Sequence, residues 1–296
     1  MSPLTTPPLE AYEHCRRITR EAAGNFYYAF VTLPRQRRRA MYAAYAYCRL
    51  CDDLSDDDLP IDEKTRRIQG IDGLLGEARA GNPDGPVFEA LAHAAAEYGI
   101  PYEDLIEVAR GVEMDLTISR YETFEDLATY CYRVASVVGL ICIQIMGYTD
   151  QRAREYAIDL GLAMQLTNIL RDVREDAERG RIYIPQEDLR QFGYSEEDLL
   201  AGTVNDQFRS LMEFEVARAR EYFERGKRLL KLLPVRTRAF PAVLGGLYGR
   251  VLDRIEARNY NVFEGRVGLS TREKVGLAVR LWIQSYIPME RVATAW

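Results

Sequence analysis

The sequence predicts an all-α fold made of a single domain. Apolar residues recur at helical spacing along nearly all of the 296 residues, and no run alternates with the period of two that marks a strand. No linker rich in proline, glycine or serine divides the chain, and a chain of this length can bury one large core. We therefore expect one domain over residues 1–296, built as a bundle of about ten helices that cross one another.

The clearest predicted helix begins just after Pro34. It places Met41, Tyr45 and Cys48 on one stripe at helical spacing, is rich in alanine, and ends in a run of acidic residues. A second amphipathic helix follows and ends at Gly81, where a loop rich in proline and glycine begins. The first helix should therefore carry its acidic run at its carboxyl end.

The helical pattern continues to the end of the chain. Residues 124–147 are apolar nearly all round in their second half, so this helix must lie in the centre of the bundle. A helix that begins near Asp150 should stop at Gly180, because Pro185 prevents regular helix soon after. The other predicted helices cover VFEALAHAAAEYG, YEDLIEVARGVEMDL and residues 208–233, 240–258 and 271–285.

Charge and cysteine usage exclude several classes of protein. The formal net charge of -6 does not supply the positive field that a nucleic-acid partner would require. Five cysteines at scattered spacing do not describe a disulfide framework, which favours a reducing cytoplasm. Cys48 and Cys51 form a C-x-x-C pair, but no second pair follows and the only histidines are His14 and His93, so a structural zinc site lacks ligands.

The amino terminus has neither the basic start nor the continuous apolar stretch of a secretory signal. No segment is expected to reach the length of a membrane span. We predict a soluble cytoplasmic protein with no evident protein partner, and we leave peripheral association with a membrane open.

A first acidic cluster closes the helix that follows Pro34. Asp52 and Asp56 are four residues apart and share one helix face, with Asp53 beside them. Acidic residues at the carboxyl end of a helix repel one another and oppose the helix dipole, so a compensating cation is a reasonable inference. The alternative is that these residues begin an exposed loop.

A second polar cluster recurs at helical spacing in QLTNILRDVRED. Asn168, Asp172 and Asp176 are spaced i, i+4 and i+8, so their polar side chains form a ladder along one helix face. Gln165 extends this polar ladder upstream, whereas the neighbouring residues are apolar. Oxygen ligands on a firm helical frame suit Mg²⁺, which commonly takes a few carboxylates, waters and substrate phosphates.

Together, the two acidic clusters point to metal-assisted chemistry on a diphosphate. A departing allylic diphosphate must have its negative charge neutralised, and Arg49 and Arg171 stand beside the two clusters, although either arginine could instead pair with surface acids. The carbocation left behind requires a dry, aromatic cavity, for which Phe26 and Phe30 are candidates. Ordinary core packing is the alternative for each aromatic residue.

Three blocks resemble the squalene/phytoene synthase family and occur in the family's order: NFYYAFVTLPRQRRRAMYAAYAYCRLCDDLSD, YCYRVASVVG and LAMQLTNILRDVREDAERGRIYIP. With a weaker match at NYNVFEGRV, the resemblance covers roughly residues 10 to 270. It implies the isoprenoid synthase bundle, with a central cavity between two facing aspartate-rich helices.

The resemblance also implies roles for individual residues. The metal-binding positions are Asp52, Asp53, Asp56, Asn168, Asp172 and Asp176. The diphosphate-binding positions are Arg49, Arg171 and Arg266. The cavity-lining positions are Tyr130, Gln165 and Tyr248, with Phe26 and Phe30 on the flap side. The catalytic candidates among them are Asp52, Asp56, Asp172, Asp176 and Tyr130.

The implied cofactor is Mg²⁺, with Mn²⁺ as a substitute. Because one metal cluster must contact both motifs to neutralise one leaving group, Asp52 and Asp172 are expected to face each other across the cavity, with both carboxylates pointing inward.

The implied reaction joins two prenyl diphosphates head to head. We favour farnesyl diphosphate as the substrate and presqualene diphosphate or squalene as the product, with NADPH used only if squalene is the final product. Geranylgeranyl diphosphate converted to phytoene is the alternative. A class I terpene cyclase and a non-catalytic family member are further alternatives, and peripheral membrane association would serve product release.

Overall fold

The computed structural model describes residues 7–56 and 58–287, and within these residues every regular element is helical. The only bridge of β type joins Arg120 and Ile182 within the described part of the chain. The α-helices are α1 Leu9–Ala22, α2 Asn25–Phe30, α3 Arg35–Asp56, α4 Ile61–Ala80, α5 Gly85–Tyr98, α6 Tyr102–Thr117, α7 Phe124–Cys131, α8 Val137–Met146, α9 Ala153–Arg171, α10 Val173–Glu178, α11 Gln186–Gln191, α12 Glu196–Leu200, α13 Asp206–Gly226, α14 Ala239–Ala257 and α15 Thr271–Ser285. The all-α prediction is confirmed.

Most of the long helices lie where the sequence predicts them, but α1, with 14 residues, was not predicted. The described residues form more helices than the expected ten or so, and the other additional helices are short: α10, α11 and α12 have six, six and five residues. Helices of this length complete too few turns to show a hydrophobic period, so the sequence does not reveal them. A single hydrophobic core, extending from Ala11 in α1 to Leu281 in α15, joins the helices.

The central helix is a composite of three segments. A π-helical turn, Tyr132–Ser136, connects α7 to α8 without a loop, so Phe124–Met146 forms one continuous helical run. By length and hydropathy alone this run could cross a membrane, so the expectation that no segment reaches that length is wrong. Half of its most apolar stretch is buried, and it contacts α3, α6 and α9, as predicted for a central helix.

Close packing fixes α9 against this central run. A Cβ added at Gly161 of α9 would lie 2.6 Å from the Cα of Ser136 in the π-helical turn, so only glycine allows this approach. The Ser136 hydroxyl donates a hydrogen bond to the carbonyl oxygen of Ile158 at 2.8 Å. Helix α13 also packs along α9, where Gly226 lies against Leu160. The polar ladder that begins on α9 is therefore carried by a firmly held helix.

Candidate active site

A cavity of about 300 Å³ lies between α2, α3, α9, α14 and the central helical run. Asp52, Gln165, Asn168 and Tyr248 supply its polar lining. The remaining lining is mostly apolar or aromatic, which is the environment that a long hydrocarbon chain requires.

The polar groups lie at one end of this cavity. On α3 the lining residues extend from Asp52 to Met41, and on α9 they extend from Asn168 to Ala157. Each pair is eleven residues apart, so the lined length of each helix is about 16 Å. The cavity therefore has a polar end at the two predicted motifs and an apolar interior.

The first acidic motif stands at the polar end. Asp52 is exposed to solvent and lines the cavity, as expected. Asp53 forms an ion pair with Arg49, so this arginine stands beside the motif as the sequence suggests. Asp56 is the last residue of α3, and its side chain lies outside the described residues.

The second motif lies on a broken helix, not on the single straight helix that was predicted. Asp172 has φ -105° and ψ 17°, which ends α9, and α10 begins at the next residue. The backbone hydrogen bonds from Asp172 to Asn168 and from Asp176 to Asp172 persist, each at 2.9 Å. Aspartate is a poor residue for a helix interior, and the carboxylate of Asp172 is held by two arginines, which explains the break at this position.

Asp172 is enclosed by positive charge. The Nε atoms of Arg171 and Arg266 lie 2.7 and 3.3 Å from its Oδ1 atom, respectively. All three residues lie near Tyr248, whose pKa is raised by burial and also responds to Arg171 and to Asn168. Arg266, which comes from the loop after α14, is therefore brought to the site.

The prediction that both carboxylates point into the cavity is met by Asp52 only. Asp172 is not among the residues that line the cavity; its carboxylate turns to the two arginines instead. The motif reaches the cavity through Asn168 and Gln165, and the Asn168 amide donates a hydrogen bond to the Gln165 side chain at 3.2 Å.

Asp176 has an unusual electrostatic environment. Burial raises the pKa of its carboxyl to about 7, and the neighbouring Asp172 adds to the shift, while Arg179 and Arg181 oppose it. A bound cation would relieve both the burial penalty and the repulsion between the two carboxylates.

The donor set fits a hard divalent cation such as Mg²⁺, because carboxylate and amide oxygens predominate. Within residues 7–56 and 58–287, no three His, Cys, Asp or Glu side chains stand close enough together to hold a metal by themselves. Phosphate oxygens of a substrate would have to complete the coordination, as is common for Mg²⁺.

The aromatic residues form a continuous wall. The ring centroid of Phe26 lies 6.1 Å from that of Tyr45 on α3 and 6.4 Å from that of Tyr248 on α14. Phe30 stacks on Phe240, with their ring centroids 5.5 Å apart. Phe26, Phe30 and Tyr248 therefore line the cavity, as expected.

Tyr130 does not line the cavity; it belongs to a buried network that the sequence analysis missed. Its hydroxyl donates to Oδ2 of Asp115 at 3.0 Å, and the Tyr183 hydroxyl donates to Oδ1 at 2.8 Å. Arg181 donates to the backbone carbonyl of Asp115 at 2.9 Å. Asp115 and Arg181 both influence the pKa of Asp176, so the network adjoins the second motif. The only sequence signal for Asp115 is one acid between the apolar residues Met114 and Leu116.

Fold and site together define a class of protein: an all-helical enzyme that handles a long apolar substrate carrying a group of high negative charge. The squalene/phytoene synthase family profile matches residues 19–273. The chain belongs to this family, whose members condense prenyl diphosphates head to head and depend on divalent metals, and it is a prenyltransferase.

Curated relatives resemble the chain over most of its length. It is 41% identical over 283 residues to the 15-cis-phytoene synthase of Synechococcus elongatus, which covers 90% of both chains. It is 40% identical over 299 residues to the 15-cis-phytoene synthase of Synechocystis, covering 94% of this chain and 86% of that one.

Solved structures share the fold. A ligand-bound dehydrosqualene synthase superposes with a TM-score of 0.85 at 30% identity, covering 94% of this chain and 98% of that chain. The squalene synthase HpnC from Alicyclobacillus acidocaldarius superposes with a TM-score of 0.81 at 32% identity, covering 86% of this chain and 97% of that chain.

Proposed function

We propose that this protein is a phytoene synthase, which joins two geranylgeranyl diphosphates head to head and releases phytoene. The observation that carries the proposal is the 41% identity to a 15-cis-phytoene synthase over 90% of both chains. Similarity to the solved squalene and dehydrosqualene synthases is lower, at 32% and 30% identity. These relatives favour the alternative of the sequence analysis over its preferred product, squalene or presqualene diphosphate.

In the proposed reaction, the two diphosphates bind at the polar end of the cavity and the prenyl chains enter its apolar interior. Arg49, Arg171 and Arg266 are the proposed diphosphate-binding residues, because two of them already hold the carboxylate of Asp172 and can exchange it for phosphate oxygens. The proposed metal-holding residues are Asp52, Asp53, Asp56, Asn168, Asp172 and Asp176. Bound Mg²⁺ would supply positive charge to the departing diphosphate.

The reaction begins when the C1–O bond of one substrate breaks and its diphosphate leaves with the electron pair. The allylic double bond of the second substrate attacks the resulting cation, and loss of a proton closes a cyclopropane ring. Loss of the second diphosphate, rearrangement and loss of another proton then give phytoene. No reductant is needed in this sequence, so NADPH has no role in the proposed reaction.

The cavity wall protects these cations. Phe26, Phe30 and Tyr248 can stabilise positive charge through their ring faces, and the apolar lining excludes water that would quench it. Tyr130 lies too deep in the Asp115 network to line the cavity, so we propose that it acts by positioning the second motif.

The test is an incubation of the purified protein with Mg²⁺ and radiolabelled farnesyl or geranylgeranyl diphosphate, with and without NADPH. We expect a C40 hydrocarbon from geranylgeranyl diphosphate, in a yield that NADPH does not change. A preference for farnesyl diphosphate with an NADPH-dependent C30 product would overturn the proposal.

Dehydrosqualene synthesis from farnesyl diphosphate is the second candidate, because the dehydrosqualene synthase structure matches 94% of the chain. It would give a C30 hydrocarbon without NADPH in the same assay. The matches lend no support to a terpene cyclase or to a non-catalytic relative.

A further inference from the structure

The deep end of the cavity is closed by one residue from each of four helices. They are Met41 on α3, Met146 on α8, Ala157 on α9 and Phe240 on α14. Each is the lining residue of its helix that lies furthest from the polar end at Asp52. We call these four residues the floor of the cavity.

Two hydrogen bonds bring the end of α8 to this floor. Arg37, in the first turn of α3, donates a hydrogen bond to the carbonyl oxygen of Ile145. The Thr237 hydroxyl, just before α14, donates to the carbonyl oxygen of Met146 at 3.3 Å. Helix α8 therefore ends where α3 and α14 begin, and Met146 lies at the same end of the cavity as Met41.

Two of the floor residues are held in place, and the other two can change shape. Phe240 is stacked on Phe30, and Ala157 has no side-chain torsion to adjust. The backbone of Ala157 is also fixed, because a Cβ added at Gly139 would lie 2.9 Å from its carbonyl oxygen. The two methionines are buried, unbranched and rotatable about three bonds, so they can adapt to irregular spaces. The floor therefore deforms most readily at its methionines.

The length of the cavity falls between the lengths of two prenyl chains. An isoprene unit adds four bonds of about 1.5 Å in a zigzag, or roughly 5 Å in extended form. A C15 chain is thus about 15 Å long and a C20 chain about 20 Å. The lining extends about 16 Å from Asp52 to Met41. The fourth isoprene unit of an extended C20 chain therefore meets the floor.

We propose that Met41 and Met146 form an adjustable floor that sets the longest prenyl chain the cavity accepts. The two side chains close the cavity beneath a C15 chain, and they turn aside to admit the fourth isoprene unit of a C20 chain. Ala157 and Phe240, which are held in place, then stop a longer chain. This inference rests on the proposed function, because it takes the cavity as the site of the prenyl chains.

The first test compares C15, C20 and C25 prenyl diphosphates in competition for one protein at saturating Mg²⁺. Met41→Ala and Met146→Ala deepen the cavity, so kcat/KM for C25 relative to C20 should rise about tenfold or more. Met146→Phe makes the cavity shallower and should lower kcat/KM for C20 relative to C15 by a similar factor. These factors follow because one methylene more or less in an apolar pocket commonly changes such a ratio at least tenfold.

Met164 provides the matched control. It lines the same cavity but lies next to Gln165 at the polar end, so Met164→Ala widens the cavity without lengthening it. The chain-length ratios of this variant should equal those of the wild-type protein. Unchanged ratios in the floor variants, or an equal change in Met164→Ala, would overturn the proposal.

The same assay distinguishes failure of the floor from failure of the proposed function. A wild-type protein that prefers the C15 substrate would refute phytoene synthesis, yet the alanine variants should still shift its preference to longer chains. Each ratio compares two substrates in one preparation, so a smaller folded fraction cancels. The alanine and phenylalanine variants shift the preference in opposite directions, so if one fails to fold, the other decides.

The second test observes the floor directly. The methyl groups of the seven methionines are labelled with carbon-13, and the single variants assign the signals of Met41, Met146 and Met164. The ligands are C15 and C20 analogues in which sulfur replaces the bridging oxygen at C1, so that they bind without reacting. We expect the C20 analogue to move the two floor signals further than the C15 analogue does, and both to move the Met164 signal equally. Equal effects of the two analogues on the floor signals would refute an adjustable floor.

Discussion

Replacing Asp176 with asparagine separates a metal-binding role from a purely structural one. The change keeps the shape of the side chain but removes its charge. In the metal-free protein this charge is unfavourable, because burial and the neighbouring Asp172 raise the pKa of Asp176 from 3.8 to about 7. Asp176→Asn should therefore stabilise the metal-free fold.

The pKa shift sets the size and the pH range of this effect. A shift of about three units corresponds to about 4 kcal/mol, which is an upper bound because the side chain keeps some contact with solvent. Since the pKa is raised in the folded state, the penalty is absent below about pH 4, where the carboxyl is protonated in both states. It grows as the pH rises and is complete above about pH 7. The gain from Asp176→Asn should appear at pH 8 and disappear at pH 4.

Turnover of the Asp176→Asn protein should fall, although its metal-free fold gains stability. If Asp176 helps to hold Mg²⁺, its loss should lower turnover about a hundredfold or more, since preorganised electrostatic contacts commonly supply several kcal/mol at a transition state. Mg²⁺ alone should raise the unfolding temperature of the wild-type protein more than that of the variant.

The assay combines denaturant unfolding in EDTA at the two pH values with turnover at saturating Mg²⁺. Glu178→Gln is the matched control on α10, because Glu178 is exposed and, among the residues that the structure describes, pairs only with Arg174. It should change stability by no more than about 0.5 kcal/mol and leave turnover intact. Wild-type turnover in a well-folded Asp176→Asn protein would refute the reasoning.

Three further predictions concern residues that position or complete the site. Asp115→Asn should lower kcat about tenfold with little change in KM for the prenyl diphosphate, because it weakens the acceptor of two tyrosine hydroxyls. The control is Glu113→Gln on the same helix, whose side chain is half-buried and accepts a hydrogen bond from Gln69, outside this network; equal kinetics in the two variants would contradict the prediction. Arg266→Met should raise KM about tenfold and Arg266→Lys should restore part of that loss, so an unchanged KM would remove Arg266 from the diphosphate site. Gly161→Ala should destabilise the fold by about 1–3 kcal/mol in urea unfolding, because its Cβ would lie 2.6 Å from the backbone of the π-helical turn. Gly249→Ala, in open space on α14, should be neutral or stabilising, and a similar loss in both glycine variants would point to an effect other than the close approach.

Helical periodicity sufficed to predict most of the long helices, because each buries one stripe against the core. The structure places Leu166, Ile169, Leu170 and Val173 in the core, as their spacing in the second motif indicates. The π-helical turn at Tyr132–Ser136 has no such signal in the sequence. Its position coincides with the close approach of Gly161, a contact between residues that are distant in the chain.

The candidate site could be predicted where its residues are close in sequence, and not where they meet only in the fold. Asp52 and Asn168 lie at the cavity as expected from their motifs. The Asp115 network joins residues 15 and 68 positions apart, so no local pattern could reveal it. Tyr130 was expected to line the cavity because of the resemblance to the family, whereas the structure places it in this network.

The break at Asp172 changes the interpretation of the polar ladder. On one straight helix, Asp172 and Asp176 would have similar surroundings. In the structure, Asp172 is paired with Arg171 and Arg266, whereas burial dominates the environment of Asp176. If a substrate diphosphate takes over the two arginines, Asp172 loses its partners and both carboxylates become available to the same cation. Diphosphate and divalent metal should therefore bind cooperatively at this motif, since each removes an electrostatic cost that the other would otherwise meet.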